Sequence, residues 1–172
     1  FNQPIDSLPN GLKRLEIGNS FNQPIDNLPD SLEELILHFE FSQNINNLPK
    51  SLKKLVLGYR FNEPIDSLPP FLTYLELGGL FNQSINYLPS SLTILRIISC
   101  DFNKSIDLLP ASLNSLVINS GNFNQSLDNL PKSLISLDIN AELFNQSLEN
   151  LPKLLEHLII NSNYIRIDTH KN

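Results

Sequence analysis

The residues most able to do chemistry are few, or else they recur too often. His38, His157 and His170 are far apart in sequence, and Cys100 is the single cysteine. There is no H-E-x-x-H pair for zinc, no G-x-S-x-G nucleophile turn and no phosphate-binding G-x-x-x-x-G-K-S/T loop. One thiol can form no internal disulfide and no thiolate cluster for structural zinc. Carboxylates recur as Asp6, Asp26, Asp66, Asp107 and Asp128. Asn46, Asn86 and Glu149 hold the equivalent positions. Calcium takes six to eight oxygen ligands, and one carboxylate every 20 or so residues is too sparse. This column reads as turn capping or solvation. Serine recurs as Ser31, Ser51, Ser91, Ser112 and Ser133. A catalytic serine is unique and has a base beside it, whereas these read as satisfying turn backbone. No catalytic residue, cofactor site or metal site is expected, and the chain is read as a non-enzyme.

The recurrence is therefore the message. Phe stands at 1, 21, 41, 61, 81, 102, 123 and 144, a spacing of 20 residues four times and 21 three times. Each Phe opens a unit that follows F-N-x-P/S-I-x-x-L-P-x-S-L-x-x-L-x-I/L. Eight such units fill residues 1–164, and 165–172 read as a partial further repeat or a C-terminal cap. The last three residues of L-x-x-L-x-I/L alternate, which is the signature of a strand with one buried side. A proline in every return leg, from Pro9 to Pro152, removes an amide donor and restricts the residue before it. Twenty residues are too few for a strand, two turns and a long helix. The return leg is thus expected to be extended or a single 3₁₀-like turn, with little or no α-helix.

A lone unit has one apolar row and nothing to cover it, so the units must stack. Stacking would set the strands in one parallel sheet on the concave face. It would also pile the Phe side chains into a buried aromatic spine. The Asn after each Phe (Asn2, Asn22, Asn62, Asn82, Asn103, Asn124 and Asn145, with Ser42 as the exception) is expected to bond turn backbone in its own and adjacent units. Four of these, Asn82, Asn103, Asn124 and Asn145, also fall in N-x-S sequons. Glycosylation there would disrupt a buried ladder, which favours a cytoplasmic protein; an extracellular or virion location stays open.

The template resembles leucine-rich-repeat proteins in its strand motif, and more closely the FNIP-repeat family of social amoebae and giant viruses. Phe21, Asn22, Gln23, Pro24, Ile25, Leu28, Pro29, Ser31, Leu32, Leu35 and Leu37 carry the resemblance. It runs through residues 1–164, and the units here are slightly shorter than that family usually has. The short L-P-x-x-L units are also similar to those of bacterial effector leucine-rich repeats. The resemblance implies an α/β-class leucine-rich-repeat solenoid. Members of the FNIP family often carry an F-box ahead of the repeats. That implies substrate recognition for ubiquitin ligation if an F-box is joined to this chain.

Function is expected where the template is silent. The variable strand residues include Arg14, Ile36, Lys54, Val56, Tyr74, Glu76, Ile94 and Arg96, with Ile98, Phe39 and Tyr59 at the rim. Aromatic and apolar groups ringed by charge suit a protein interface. Exposed β-branched residues equally suit a sheet without any ligand. Asn119, Asn140 and Asn161, with Ser120 and Ser162 nearby, read as a solvated ladder or as a polar groove for glycans or peptide backbone. The leading expectation is a scaffold binding an unknown protein on the concave sheet. The alternative is a structural component of a filament, coat or extracellular assembly. A formal net charge of -6 argues against nucleic acid and against a basic membrane-surface patch. The apolar runs are too short for a transmembrane helix, and no signal peptide is visible.

The chain has no Met and begins inside a repeat, as a piece of a longer protein would. Open solenoid ends expose core and sheet edge. The isolated 172-residue chain is expected to aggregate or to stack end to end; a clean monomer in sedimentation would contradict this.

Overall fold

The structure, a computed structural model, describes residues 1–164 and the backbone strand at 166–170. Each unit contributes one short strand: β1 Arg14–Ile17, β2 Glu34–Leu37, β3 Lys54–Leu57, β4 Tyr74–Gly79, β5 Ile94–Ser99, β6 Ser115–Asn119, β7 Ser136–Asn140 and β8 His157–Asn161. These eight pair in chain order, all parallel and without a register slip: Leu15 faces Leu35, which faces Leu55, and so on to Leu158. The last strand, β9 (Arg166–His170), pairs with β8 in the antiparallel sense. A ninth solenoid turn would have to arrive parallel, so this strand covers the sheet edge instead of extending the repeat. Ile165, Lys171 and Asn172, and the side chains of the strand between them, lie outside the described residues.

No α-helix or 3₁₀-helix occurs among the described residues. The return legs are extended and broken by turns, as the prolines require. In one such turn the Leu amide donates back to the Pro carbonyl three residues earlier, as in Leu12 to Pro9 and Leu92 to Pro89, both at 3.0 Å.

The core is a set of columns running along the stack. Leu35, Leu55, Leu75, Leu95, Leu116 and Leu137 form one column, and Leu37, Leu57, Leu77, Ile97, Ile118 and Ile139 a second; all are fully buried or nearly so. The Phe side chains form the expected spine. Successive rings from Phe1 to Phe144 stack nearly parallel with centroids 6.1 to 6.3 Å apart. Parallel strands lie only about 4.8 Å apart. Equivalent atoms therefore step further at the spine than at the sheet, which puts the superhelix axis on the sheet side. The sheet is the inside of the bend.

Polar groups are also passed from unit to unit. The template serines donate to a leucine carbonyl of the preceding unit, as in Ser31 to Leu12 at 2.7 Å and Ser112 to Leu92 at 2.6 Å. The Asn side chains accept through Oδ1 from the next unit's amide, for example Asn22 to Asn2 at 2.8 Å and Asn124 to Asn103 at 3.0 Å. Two details differ from expectation. The Asn column is half-buried to exposed instead of buried, so the argument from sequon disruption loses its premise. Ser42 donates from its amide and hydroxyl to Asn22 Oδ1 but, among the described residues, accepts nothing from Asn62, so the ladder pauses there. The acidic column stays exposed and accepts from the next unit's Asn side chains, Asn27 donating to Asp6 and Asn150 to Asp128.

The extra residue of the longer units falls between the buried strand pair and the next Phe, where Ser99, Ser120 and Ala141 turn inward and are buried. Ser99 donates to the carbonyls of Gly79 and Phe81 at 2.9 and 2.8 Å, and Ser120 to that of Phe102 at 3.0 Å. Ser120 is thus a core-turn residue and does not belong to the open-face ladder.

Phe61 is fully buried between two stacked neighbours. Phe61→Ala should lower unfolding free energy by about 3–5 kcal/mol in urea titration. Phe1→Ala, at a ring 72% exposed, should lower it far less.

Candidate protein-binding face

Side chains alternate along a strand, so the residues between the buried leucines all project from the open face of the sheet. The parallel register then lines them up across units. Ile36, Val56, Glu76, Arg96, Val117 and Asp138 form one row. Arg14, Glu34, Lys54, Tyr74, Ile94 and Ser115 form the row beside it. Gly58, Gly78, Ile98, Asn119 and Asn140 make a third row, nearer the turn.

The eleven residues expected at a site fall on this face or its rim, in varied states. Arg14 is exposed, 2.7 Å from Glu16 and 3.7 Å from Glu34. Ile36 lies on the open face yet is only 8% exposed, because its neighbours cover it. It serves as the floor of the patch and is not a projecting contact. Val56, Ile94 and Ile98 are half-buried. Lys54 sits over the Tyr74 ring, its Nζ 5.2 Å from the centroid, a cation–π arrangement. The Tyr74 hydroxyl donates to Glu76 Oε2 at 2.6 Å, and Arg96 Nε reaches the same oxygen at 3.2 Å.

These contacts tune ionisation. Burial pushes the Tyr74 phenol up to about 12, and the hydrogen bond and charge of Glu76 add to this while Arg96 opposes it. Burial also raises the Asp138 carboxyl, with Arg96 pulling the other way. Beside the first strands, hydrogen bonds from Lys53 and then Lys13 hold half-buried Glu33 down at about 2.

Phe39 and Tyr59 are stacked in parallel on the rim, 4.7 Å apart, each a little over 40% exposed. Next to Tyr59 the sheet opens into a groove of about 590 Å³. Its floor includes Gly58, Gly78 and Gly79, and its far wall includes Ile98 and Cys100. These glycines and Cys100 were missed as site residues. The signal was present in the sequence: glycine replaces a side chain in one column of units three and four. Gly79 has φ +52°, the one positive φ among the described residues. A Cβ there would lie 1.9 Å from the Tyr59 carbonyl oxygen.

In units six to eight the face turns polar. Asn140 donates to Asn119 at 3.5 Å and Asn161 to Asn140 at 3.3 Å, a ladder along the sheet. Among the described residues no three His, Cys, Asp or Glu side chains gather where they could hold a metal ion. No helix among them is long and apolar enough to cross a membrane.

Four stretches of the chain, 1–40, 41–78, 64–100 and 102–141, match the model of the FNIP repeat. The chain belongs to the FNIP-repeat family. Among solved structures it is similar to the giant-virus protein CroV588, described as a novel circular leucine-rich-repeat protein. The two are 43% identical with a TM-score of 0.83 over 92% of this chain. The match spans 25% of CroV588, so this FNIP array corresponds to about a quarter of that protein's length. No curated protein matches. The leucine-rich-repeat solenoid expected from the template is therefore the fold of the chain.

The Tyr74–Glu76–Arg96 network gives a check on this face. Absorbance titration of the tyrosines should show one phenol ionising near 12. In Glu76→Gln that phenol should move down toward, but not reach, the ordinary value of about 10, because burial remains. A raised folded-state pKa of this kind contributes stability that is present below about 10 and lost as pH rises toward 12.

Proposed function

We propose that this chain is a protein-interaction module that holds a partner on the open face of its sheet and performs no chemistry of its own. One observation supports the reading above the others. The repeat frame satisfies itself: no buried side-chain nitrogen or oxygen among the described residues lacks a partner. The open face of units two to five is different. There Val56, Ile94, Ile98, Phe39 and Tyr59 stay partly uncovered around the Glu76–Arg96 pair. Apolar and aromatic groups with a charged pair at their centre match the anatomy of protein interfaces. If an F-box is joined to the repeats, the same face would present substrates for ubiquitin ligation.

A second reading is architectural. The stack bends with its sheet inside, and CroV588 is described as circular. A longer array with this bend would serve as a closed or filamentous framework, with end-to-end association of the same solenoid surfaces. Electron microscopy of the full-length protein separates the two readings, since rings or filaments without a bound client favour the second.

For the first reading the measurement is affinity for a purified, defined partner. Changing Tyr59→Ser and Tyr74→Ser together should weaken binding at least about tenfold, the usual scale for losing interface aromatics. Undiminished binding would move the interface off this face.

A further inference from the structure

The rim stack is incomplete on one side. Phe39 and Tyr59 are 4.7 Å apart and only 3° from parallel. That separation is the step between neighbouring parallel strands, about 4.8 Å, so the rings are stacked along the solenoid. Phe39 covers one face of Tyr59, and the other is turned toward the fourth unit. In the fourth unit the two positions beside it, Gly78 and Gly79, have no side chains. Gly79 cannot acquire one, since its Cβ would overlap the Tyr59 carbonyl. The next side chains along the stack are those of Ile98 and Cys100, on the far wall of the groove. A flat gap is therefore held open beside an aromatic face.

Charge at the groove centres on Glu76, whose Oε2 already meets Arg96 Nε at 3.2 Å. No Lys or Arg lines the groove, and Glu76 is its one carboxylate. Among the described residues both donors to Glu76, the Tyr74 hydroxyl and Arg96 Nε, use Oε2, which leaves Oε1 open. His38, on the near wall, is 3.2 Å from Glu16 and adds no free cation. The chain's formal net charge of -6 adds to the same field.

We propose that this groove receives an arginine side chain of a partner protein, with the guanidinium stacked on the free face of Tyr59 above Gly78 and Gly79 and Glu76 supplying the opposing charge. The proposal rests on the reading that the open face binds protein, and it names the chemistry recognised. A guanidinium is flat, cationic and weakly hydrated, so it stacks on a phenol ring and still donates in its plane. An ammonium is a strongly hydrated point charge and uses the flat gap poorly. A neutral aromatic ring would fill the gap but has no use for the open carboxylate oxygen. Nucleotide phosphates would meet a groove lined by no Lys or Arg. The 590 Å³ volume exceeds one side chain, which leaves room for the backbone that carries it.

The test uses the whole chain with ¹³C-labelled tyrosine and three small probes: the blocked amides of arginine, lysine and phenylalanine. The arginine probe should shift the Tyr59 ring signals saturably while leaving those of Tyr87 unmoved. The lysine and phenylalanine probes should bind at least about fivefold more weakly, the scale of one cation–π contact. Glu76→Gln should weaken the arginine probe by a similar factor while the strand content read by circular dichroism is retained. In Tyr59→Ser the probe should no longer move the Gly78 and Gly79 amide signals. A silent Tyr59, a phenylalanine probe that binds as well as arginine, or a Glu76→Gln chain that binds unchanged would overturn the arginine site. Those results would leave the broader interface reading to the partner titration, which tests it separately.

Discussion

A unit of 20 or 21 residues here cannot fold by itself. It holds one short strand, an extended return leg and a single row of apolar side chains with nothing opposite them. What completes it is contact with the copy before and the copy after. The Phe spine shows this most directly. Every interior ring is fully buried, and each is sandwiched by the rings of two other units. Stability is then nearest-neighbour in character, and the requirement falls equally on every copy. That explains why so few positions are free to vary. Any change in a core column breaks two interfaces.

The polar frame obeys the same rule. The strand amides, the template serines and the Asn side chains send or receive their bonds across a unit boundary, some 19 to 22 residues away in sequence. Repeated Asn, Ser and Asp look like candidate chemistry in isolation, yet each is one rung of a ladder. Their donors and acceptors are committed to the neighbouring copy. On the open sheet face the residue types diverge from unit to unit, even where they pair across a boundary as Glu76 and Arg96 do.

The frame was legible from the sequence because period and physics coincide. Alternation at Leu15 and Ile17 and their equivalents gave the strands, Pro9 and its equivalents excluded return helices, and the recurrent Phe gave the spine. Three features were not legible. The tail at 166–170 alternates like another repeat strand, but alternation carries no direction, and the strand runs antiparallel. Ile36 occupies an exposed column, yet its cover comes from neighbours in other units. Ser120 looked like a member of the Asn/Ser surface row because the sequence does not say on which side of the extra residue the strand ends.

That extra residue and the groove have one cause. In the first three units the position after the glycine or histidine column faces outward, as Asn19, Phe39 and Tyr59 do. In units five to seven the same position is buried and holds Ser99, Ser120 or Ala141. The fourth unit must join the two backbone paths while still only 20 residues long. Gly79 makes the junction: it is already buried, its φ of +52° turns the chain, and its lack of a side chain lets it lie against the Tyr59 carbonyl. A side chain in that place would clash if kept and would fill the gap beside Tyr59 if accommodated. The change of period therefore creates a point on the rim where an exposed aromatic face stands next to bare backbone. The frame that fixes every other residue leaves this opening as a by-product of its own change of step.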